Sequence, residues 1–378
     1  MNKTINTLEK LVSYPTISSS PVVELGAYLA QLAEDNKFEV IQFATSPTKV
    51  NVVAHIGPWT KTGLALCGHM DVVPTDGQNW TSDPFRLTQR EDRLYGRGSC
   101  DMKGFIAASM AAISELNLRN LTDGLTLIWT HDEEVGCLGA QALQQQLQAA
   151  NLSLPKAILI GEPTSLDICR MNGGHTTVEI SIKGVPAHSS KPLLGNSAIL
   201  AAVSVIQQMN SIQSTLQAEP CSHHEMKGAC SLINIAQIEG GEAINIVPEK
   251  CKIQLGIRPM PGHDIHTIIS EIQHRIKFVS EKTQCDIQIS IPQNAPPLLT
   301  PKNTDLEKLL RKKRPQAKSI GVPFATDGGS LAELDTSPII CGPGSIDVAH
   351  KPDEYVPIAE LMSCQQMVSS LIYDWCLS

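Results

Sequence analysis

Up to about residue 172, short apolar runs alternate with helical stretches. "NVVAHI" (51–56), "LALCGHM" (64–70), "LTLIWT" (125–130) and "AILIGE" (157–162) have the length and near-unbroken apolarity of strands buried on both faces, and Lys103–Leu116 is one of the helical stretches between them. This βα rhythm predicts a largely parallel sheet with covered faces, and places any chemistry where its strands end. From Thr176 the period changes. In "TTVEISIKG", Val178, Ile180 and Ile182 alternate with polar residues, as in a strand with one wet face. A helix from Asn196, strands at "SLINIAQIE" (231–239) and "CKIQLGIR" (251–258), a helix carrying Ile265, Ile268, Ile269, Ile272 and Ile276, and a strand "CDIQISI" (285–291) follow. That order, βαββαβ, is the ferredoxin-like split unit. After "PQNAPP" the αβ texture returns. The expected organisation is an α/β catalytic domain in two parts, 1–173 and 293–378, with a second domain inserted at 174–292.

Composition narrows the classes. Of 378 residues, 42% are hydrophobic, yet no apolar run reaches the ~20 residues of a membrane helix and no apolar leader follows Met1. A soluble, cytoplasmic protein with no membrane partner is expected. Eleven cysteines without a CxxC pair suit a reducing compartment better than a disulfide framework. The formal net charge is -8 and the one basic cluster, "RKKRP" (311–315), reads as a helix end, which argues against nucleic acid.

Polar residues collect where the strands of the first domain end. "LCGHMDVVP" sets His69 and Asp71 two apart, on one side of an extended segment. "LYGRGSCDMKG" supplies Asp101, "WTHDEEVGC" supplies Asp132, Glu133 and Glu134, "ILIGEPT" supplies Glu162, and the Gly/Pro-rich "CGPGSIDVAHKPDEY" supplies His350. Any one of these reads most simply as a solvated turn or a packed histidine. Five such loops at strand ends form a pattern: a mixed histidine and carboxylate set suits Zn²⁺ or a similar metal, and several carboxylates suit a bridged metal pair. Cys100 beside Asp101 raises a cysteine-hydrolase alternative, but no His–Asn pattern accompanies it.

In combination and in this order, "GHMDVVP", "GRGSCDMKG", "DEEVG", "GEPTS" and "AHSS" resemble the M20 metallopeptidases, the family of acetylornithine deacetylase, succinyl-diaminopimelate desuccinylase and glutamate-releasing carboxypeptidases. The resemblance covers nearly the whole chain. "NWTSDPF", "GEPTSL" and "GPGSIDVAHKPDEY" are most similar to the acetylornithine deacetylase branch. It implies a metal-dependent exopeptidase-like catalytic domain and an insert that serves as lid and dimerisation domain. Two divalent ions, Zn or Co, are implied: Asp101 bridges them, His69 and Glu162 complete one position, and Glu134 and His350 the other. Glu133 becomes the general base, Asp71 orients the His69 ring, and the Asp101–Met102 peptide is cis. In the insert, His188 of "AHSS" stabilises the oxyanion from a neighbouring subunit, Asn245 contacts substrate, and Arg258 grips the substrate carboxylate.

The reaction implied is hydrolysis of N2-acetyl-L-ornithine to L-ornithine and acetate, a step of arginine biosynthesis, by a homodimer. A bare sheet edge carrying Val178, Ile180 and Ile182 would invite a second copy to pair. Asn172, Gly173 and Gly174 stand where many members of that branch carry His-Lys-Gly. This departure keeps N-acetyl-L-citrulline and N-succinyl-diaminopimelate open as substrates. Asp327, Asp353 and Glu354 are candidates for reading a substrate ammonium. A metal-dependent binding protein without turnover is the alternative of another class. Glu133 stands against it, because a pure binder needs ligands but no base.

Overall fold

The apolar runs of the first 172 residues become strands of one sheet in the computed structural model, which describes residues 2–377. They are β2 (Lys49–Ile56), β3 (Leu64–His69), β4 (Leu125–Thr130) and β5 (Ala157–Pro163), and the sheet also takes in β1 (Glu39–Ser46), β6 (Ile168–Asn172) and, near the other end of the chain, β7 (Ser337–Gly342). Their order across the sheet is β1-β2-β4-β3-β5-β7-β6. β4, β3, β5 and β7 are mutually parallel. β1, β2 and β6 join antiparallel.

Every residue of the four parallel strands is buried. That burial explains their unbroken apolar sequences, since helices must cover both faces of such a sheet. One covering helix, Lys103–Glu115, is buried from Lys103 to Ile113 and packs against Lys3–Val12 and Ile358–Ile372. It comes so close to β5 that a Cβ at Gly161 would overlap the Phe105 ring. Only glycine fits there, directly before Glu162. The basic cluster 311–313 ends the helix Asp305–Lys313, where its charge complements the exposed carbonyls.

The chain divides into two units, one comprising the residues up to Met171, Thr300–Gly321 and those from Thr326 on, the other Asn172–Leu299 and Val322–Ala325. In the second unit, strands His175–Lys183, Leu232–Gly240, Lys250–Arg258 and Asp286–Ala295 form an antiparallel sheet, with helices Ala198–Ala218 and Ile265–Thr283 following the first and third strands. This is the βαββαβ order. Val178, Ile180 and Ile182 pack with Ile253, Leu255 and Ile257 against the isoleucine stripe of Ile265–Thr283.

One expectation is corrected here. Strand His175–Lys183 is not an edge: it lies between Lys250–Arg258 and Asp286–Ala295, and the edges are Leu232–Gly240 and Asp286–Ala295. Alternating apolar residues report a buried face perpendicular to the sheet. Position within the sheet is set by the crossovers.

Candidate metal centre

The parallel strands bring their C-terminal ends to one edge of the first unit's sheet, and the polar loops follow. His69 ends β3. The carbonyl of Asp71 lies 2.9 Å from its Nδ1, which leaves Nε2 facing Asp101 Oδ1 at 3.0 Å and Glu162 Oε1 at 3.9 Å. The other Asp101 oxygen, Oδ2, lies 3.2 Å from His350 Nε2, and that nitrogen is 2.9 Å from Glu134 Oε2. One carboxylate therefore stands between two histidines, each accompanied by a glutamate. The Asp101–Met102 peptide is cis. His69, Asp101 and Glu162 are buried, whereas the His350 side chain keeps 48% of its surface exposed, so the centre opens to solvent on that side.

The acidic triplet after β4 separates into different environments. Asp132, in the left-handed region with φ 52°, turns to Lys49 Nζ at 2.5 Å and His131 Nδ1 at 3.1 Å, and Lys49 also donates to the Ser18 carbonyl. This ion pair supplies the structural role that the sequence left unassigned. Glu134 joins His350 and Asp101. The Glu133 carboxylate lies with Glu162 and His69 on one side and with Cys137 and Asp327 on another. Asp71 acts in two ways. Its carbonyl fixes the His69 ring, while its fully buried carboxylate, 3.7 Å from that ring, accepts the N–H of Glu133 at 3.0 Å, the N–H of Glu134 at 3.3 Å and the Ser18 hydroxyl at 2.8 Å. The ring is oriented chiefly through the backbone, and the carboxylate holds the glutamate loop.

So many acids in one buried space perturb each other. Burial, reinforced by neighbouring carboxylates, pushes the Glu133 and Glu162 carboxyls well above their usual range, and burial with Asp101 raises Glu134 to about 7. Burial opposes a charge on His69, but Asp101, Glu162 and Glu133 outweigh it and raise the imidazole. Hydrogen bonds to Asp101 and Glu134 raise His350 to about 10. The Asp101 carboxyl is raised by burial but held below its usual range by the hydrogen bonds of His350 and His69.

This donor set fits divalent metal. Glu162 Oε1 is buried and has no hydrogen-bond partner among the described residues, and ligand atoms of His69, Asp101 and Glu134, and of His69, Glu133 and Glu162, lie within 4.8 Å of one another. Carboxylates outnumber imidazoles in a buried cluster, and cations would neutralise that excess.

Of the three candidates for reading a substrate ammonium, Glu354 and Asp353 are engaged elsewhere, while Asp327 lies beside Glu133 with one oxygen bonded. Both Glu354 oxygens accept backbone N–H groups, Asp353 accepts from Thr81, and Asp327 Oδ2 accepts from Thr130 at 2.5 Å. The Asp327 Oδ1 atom is buried without a hydrogen-bond partner among the described residues. In the second unit, the Ser189 N–H donates to the Asn245 carbonyl at 2.9 Å and His188 forms a bridge with Ile246, so the His188 and Asn245 loops adjoin. His188 Nδ1 is 2.8 Å from Ser190 Oγ. Arg258 ends its strand opposite Leu232, and burial lowers its guanidinium from the usual value. Sequence reading missed Arg97, Ser18 and Lys49, which carry no periodic signal.

Comparison with known proteins bears on this arrangement. Residues 65–374 match the sequence profile of peptidase family M20/M25/M40. The chain is 32% identical over 377 residues to acetylornithine deacetylase of Myxococcus xanthus, covering 98% of this chain and 97% of that one. It is 30% identical over 380 residues to acetylornithine deacetylase of Buchnera aphidicola subsp. Acyrthosiphon pisum (strain Tuc7), covering 98% of each. In fold it is similar to an M20 family metallo-carboxypeptidase of Sulfolobus solfataricus, with TM-score 0.75, 18% identity and coverage of 98% and 99%. A dinuclear metal binding M20 peptidase of Bacillus subtilis superposes with TM-score 0.68 at 17% identity, covering 98% of each chain. By its match to the family profile over residues 65–374 and its full-length relatives, the chain belongs to peptidase family M20/M25/M40 and is a hydrolase of that metal-dependent family.

Proposed function

We propose that this hydrolase works with two metal ions and releases acetate from N2-acetyl-L-ornithine. The observation that carries the dinuclear reading is the Asp101 carboxylate, with Oδ1 3.0 Å from His69 and Oδ2 3.2 Å from His350. His69 and Glu162 would complete one position, Glu134 and His350 the other, with Asp101 shared; imidazole with carboxylate suits Zn or Co. When bound, such a pair polarises the acyl carbonyl and lowers the pKa of water.

The chain's own residues do the rest. Glu133 takes the proton of the attacking water and delivers it to the leaving nitrogen. Asp71 fixes the peptide that presents Glu133, through the N–H bond at 3.0 Å. His188, from a neighbouring subunit, donates a hydrogen bond to the developing oxyanion, Asn245 contacts substrate, and Arg258 pairs with its carboxylate. A homodimer follows from that role. Its pairing surface would be the edge strand Leu232–Gly240, where Leu232 and Ile238 are exposed.

The names of the relatives support acetylornithine, and with it a cytoplasmic role in arginine synthesis. No helix among the described residues is long and apolar enough to cross a membrane. The segment 172–174 favours a second reading, deacylation of another N-acyl amino acid. A Cβ at Gly173 would lie 2.5 Å from the Pro323 carbonyl oxygen, so a lysine there would require the backbone to move. The test is a panel of N-acetyl and N-succinyl amino acids, including acetylornithine, acetylcitrulline and succinyl-diaminopimelate, assayed for released amine with Zn²⁺ or Co²⁺. Acetylornithine should give the highest kcat/KM. A tenfold preference for another member would reassign the substrate, and no turnover of any member would favour a binding protein.

A further inference from the structure

Glu354 follows His350 by four residues, yet its carboxylate is spent on a different loop. Oε1 accepts the N–H of Cys100 at 2.9 Å and of Asp101 at 3.0 Å. Oε2 accepts the N–H of Gly98 at 3.1 Å and Nη1 of Arg97 at 2.7 Å. Both side chains are 1% exposed. Arg97 extends the chain of contacts: Nη2 donates to Gln78 Oε1 at 2.7 Å, and Gln78 Nε2 donates to the His350 carbonyl at 3.0 Å. The Trp80 ring lies 5.0 Å from the guanidinium carbon, and the Cys100 thiol reaches the Ser345 carbonyl at 3.4 Å. A buried carboxylate with four donors, one of them a guanidinium, is a stiff charge-assisted link. It ties the peptide that presents Asp101 to the segment that presents His350.

We propose that Glu354, braced by Arg97, is a positioning residue that sets the second metal position relative to the first. The inference rests on the dinuclear reading above. The first position shares only Asp101 with the segments Glu354 holds, because His69 and Glu162 stand on β3 and β5. The second position takes both Asp101 and His350 from those segments. Loss of the link must therefore loosen the second position more than the first. Glu354→Gln keeps the shape, and its carbonyl oxygen can still accept from Cys100 and Asp101. Its NH₂ group then faces the Gly98 N–H and Arg97, donor against donor.

The test titrates metal-free, full-length enzyme with Co²⁺, followed by calorimetry and visible absorption. Wild-type protein should take two equivalents. In Glu354→Gln the second Kd should weaken by at least about tenfold while the first stays within about threefold, the scale expected when a ligand's supporting partner is lost. Arg97→Lys keeps the charge but not the planar fork. It should shift the second Kd in the same direction by a smaller factor, and it carries the test if Glu354→Gln does not fold. Equal weakening of both equivalents, or no weakening in either variant, overturns the role of Glu354. A wild-type protein that takes one equivalent overturns the dinuclear reading and this inference with it, and is recognised before any variant is made.

Discussion

Glu133 and Glu134 are adjacent in sequence and are assigned opposite duties, so replacing each by glutamine separates the base from the ligand. Glu134 Oε2 lies 2.9 Å from His350 Nε2 and belongs to the group formed with His69 and Asp101. Among the described residues the Glu133 carboxylate accepts a bond only from the Cys137 thiol, at 3.5 Å, a weak contact, and the Glu133 backbone N–H stays on Asp71 whatever the side chain. Glu133→Gln therefore removes a proton acceptor while preserving shape. Neutralising one of several buried carboxylates also relieves repulsion, so stability should hold or rise slightly. Loss of a general base lowers kcat by about 10² to 10⁴, or ~2.7–5.4 kcal/mol of barrier at ~1.36 kcal/mol per tenfold. Glu134→Gln should instead weaken one of the two metal equivalents by at least about tenfold, with activity falling as that ion is lost. The assay pairs kcat and KM on the best substrate of the acyl panel with metal content after gel filtration and a thermal melt. If Glu133→Gln retains activity within a few-fold of wild type, or if both variants lose metal equally, the division of labour is wrong.

Chelator-treated enzyme should be inactive and recover with up to about two equivalents of Zn²⁺ or Co²⁺; full activity in metal-free protein would refute metal catalysis. Asp71→Asn removes the charged acceptor from all three donors and leaves at least one of them facing an NH₂ group with no acceptor, so urea unfolding should show a loss of about 1.5–3 kcal/mol, and kcat should fall as the Glu133 loop loosens; an unchanged kcat would remove Asp71 from the catalytic support. Gly161→Ala drives a methyl group into the Phe105 ring, which should destabilise by about 1–3 kcal/mol and reduce metal content through the following Glu162; a wild-type melt and metal content would contradict the packing described. His188→Ala should lower kcat by about 10² to 10³ with normal metal content, and mixing it with Glu133→Gln subunits should restore up to about half of one wild-type dimer's activity. No recovery despite subunit exchange would place His188 within its own chain's chemistry or outside it.

Local sequence carried the strands and the chemistry-bearing loops. Continuous apolar runs report burial on both faces and strict alternation reports burial on one, so the parallel sheet and the βαββαβ unit were legible from period alone. His69, Glu133, Glu134 and Glu162 were legible because polar groups placed at or just after the ends of buried strands demand partners, and Asp101 and His350 through the pattern of five such loops and the family resemblance. Partnership itself was decided by tertiary structure. That Asp132 faces Lys49, that Asp71 holds the glutamate loop with its carboxylate and His69 with its carbonyl, and that Arg97 meets Glu354 across 257 residues depend on contacts without periodicity. The interior place of strand His175–Lys183 was equally hidden, because sheet order follows from how crossovers return. A residue's period records which way its side chain must face, which is a local property. What it meets there depends on segments far away in the chain, and only the folded backbone brings those together.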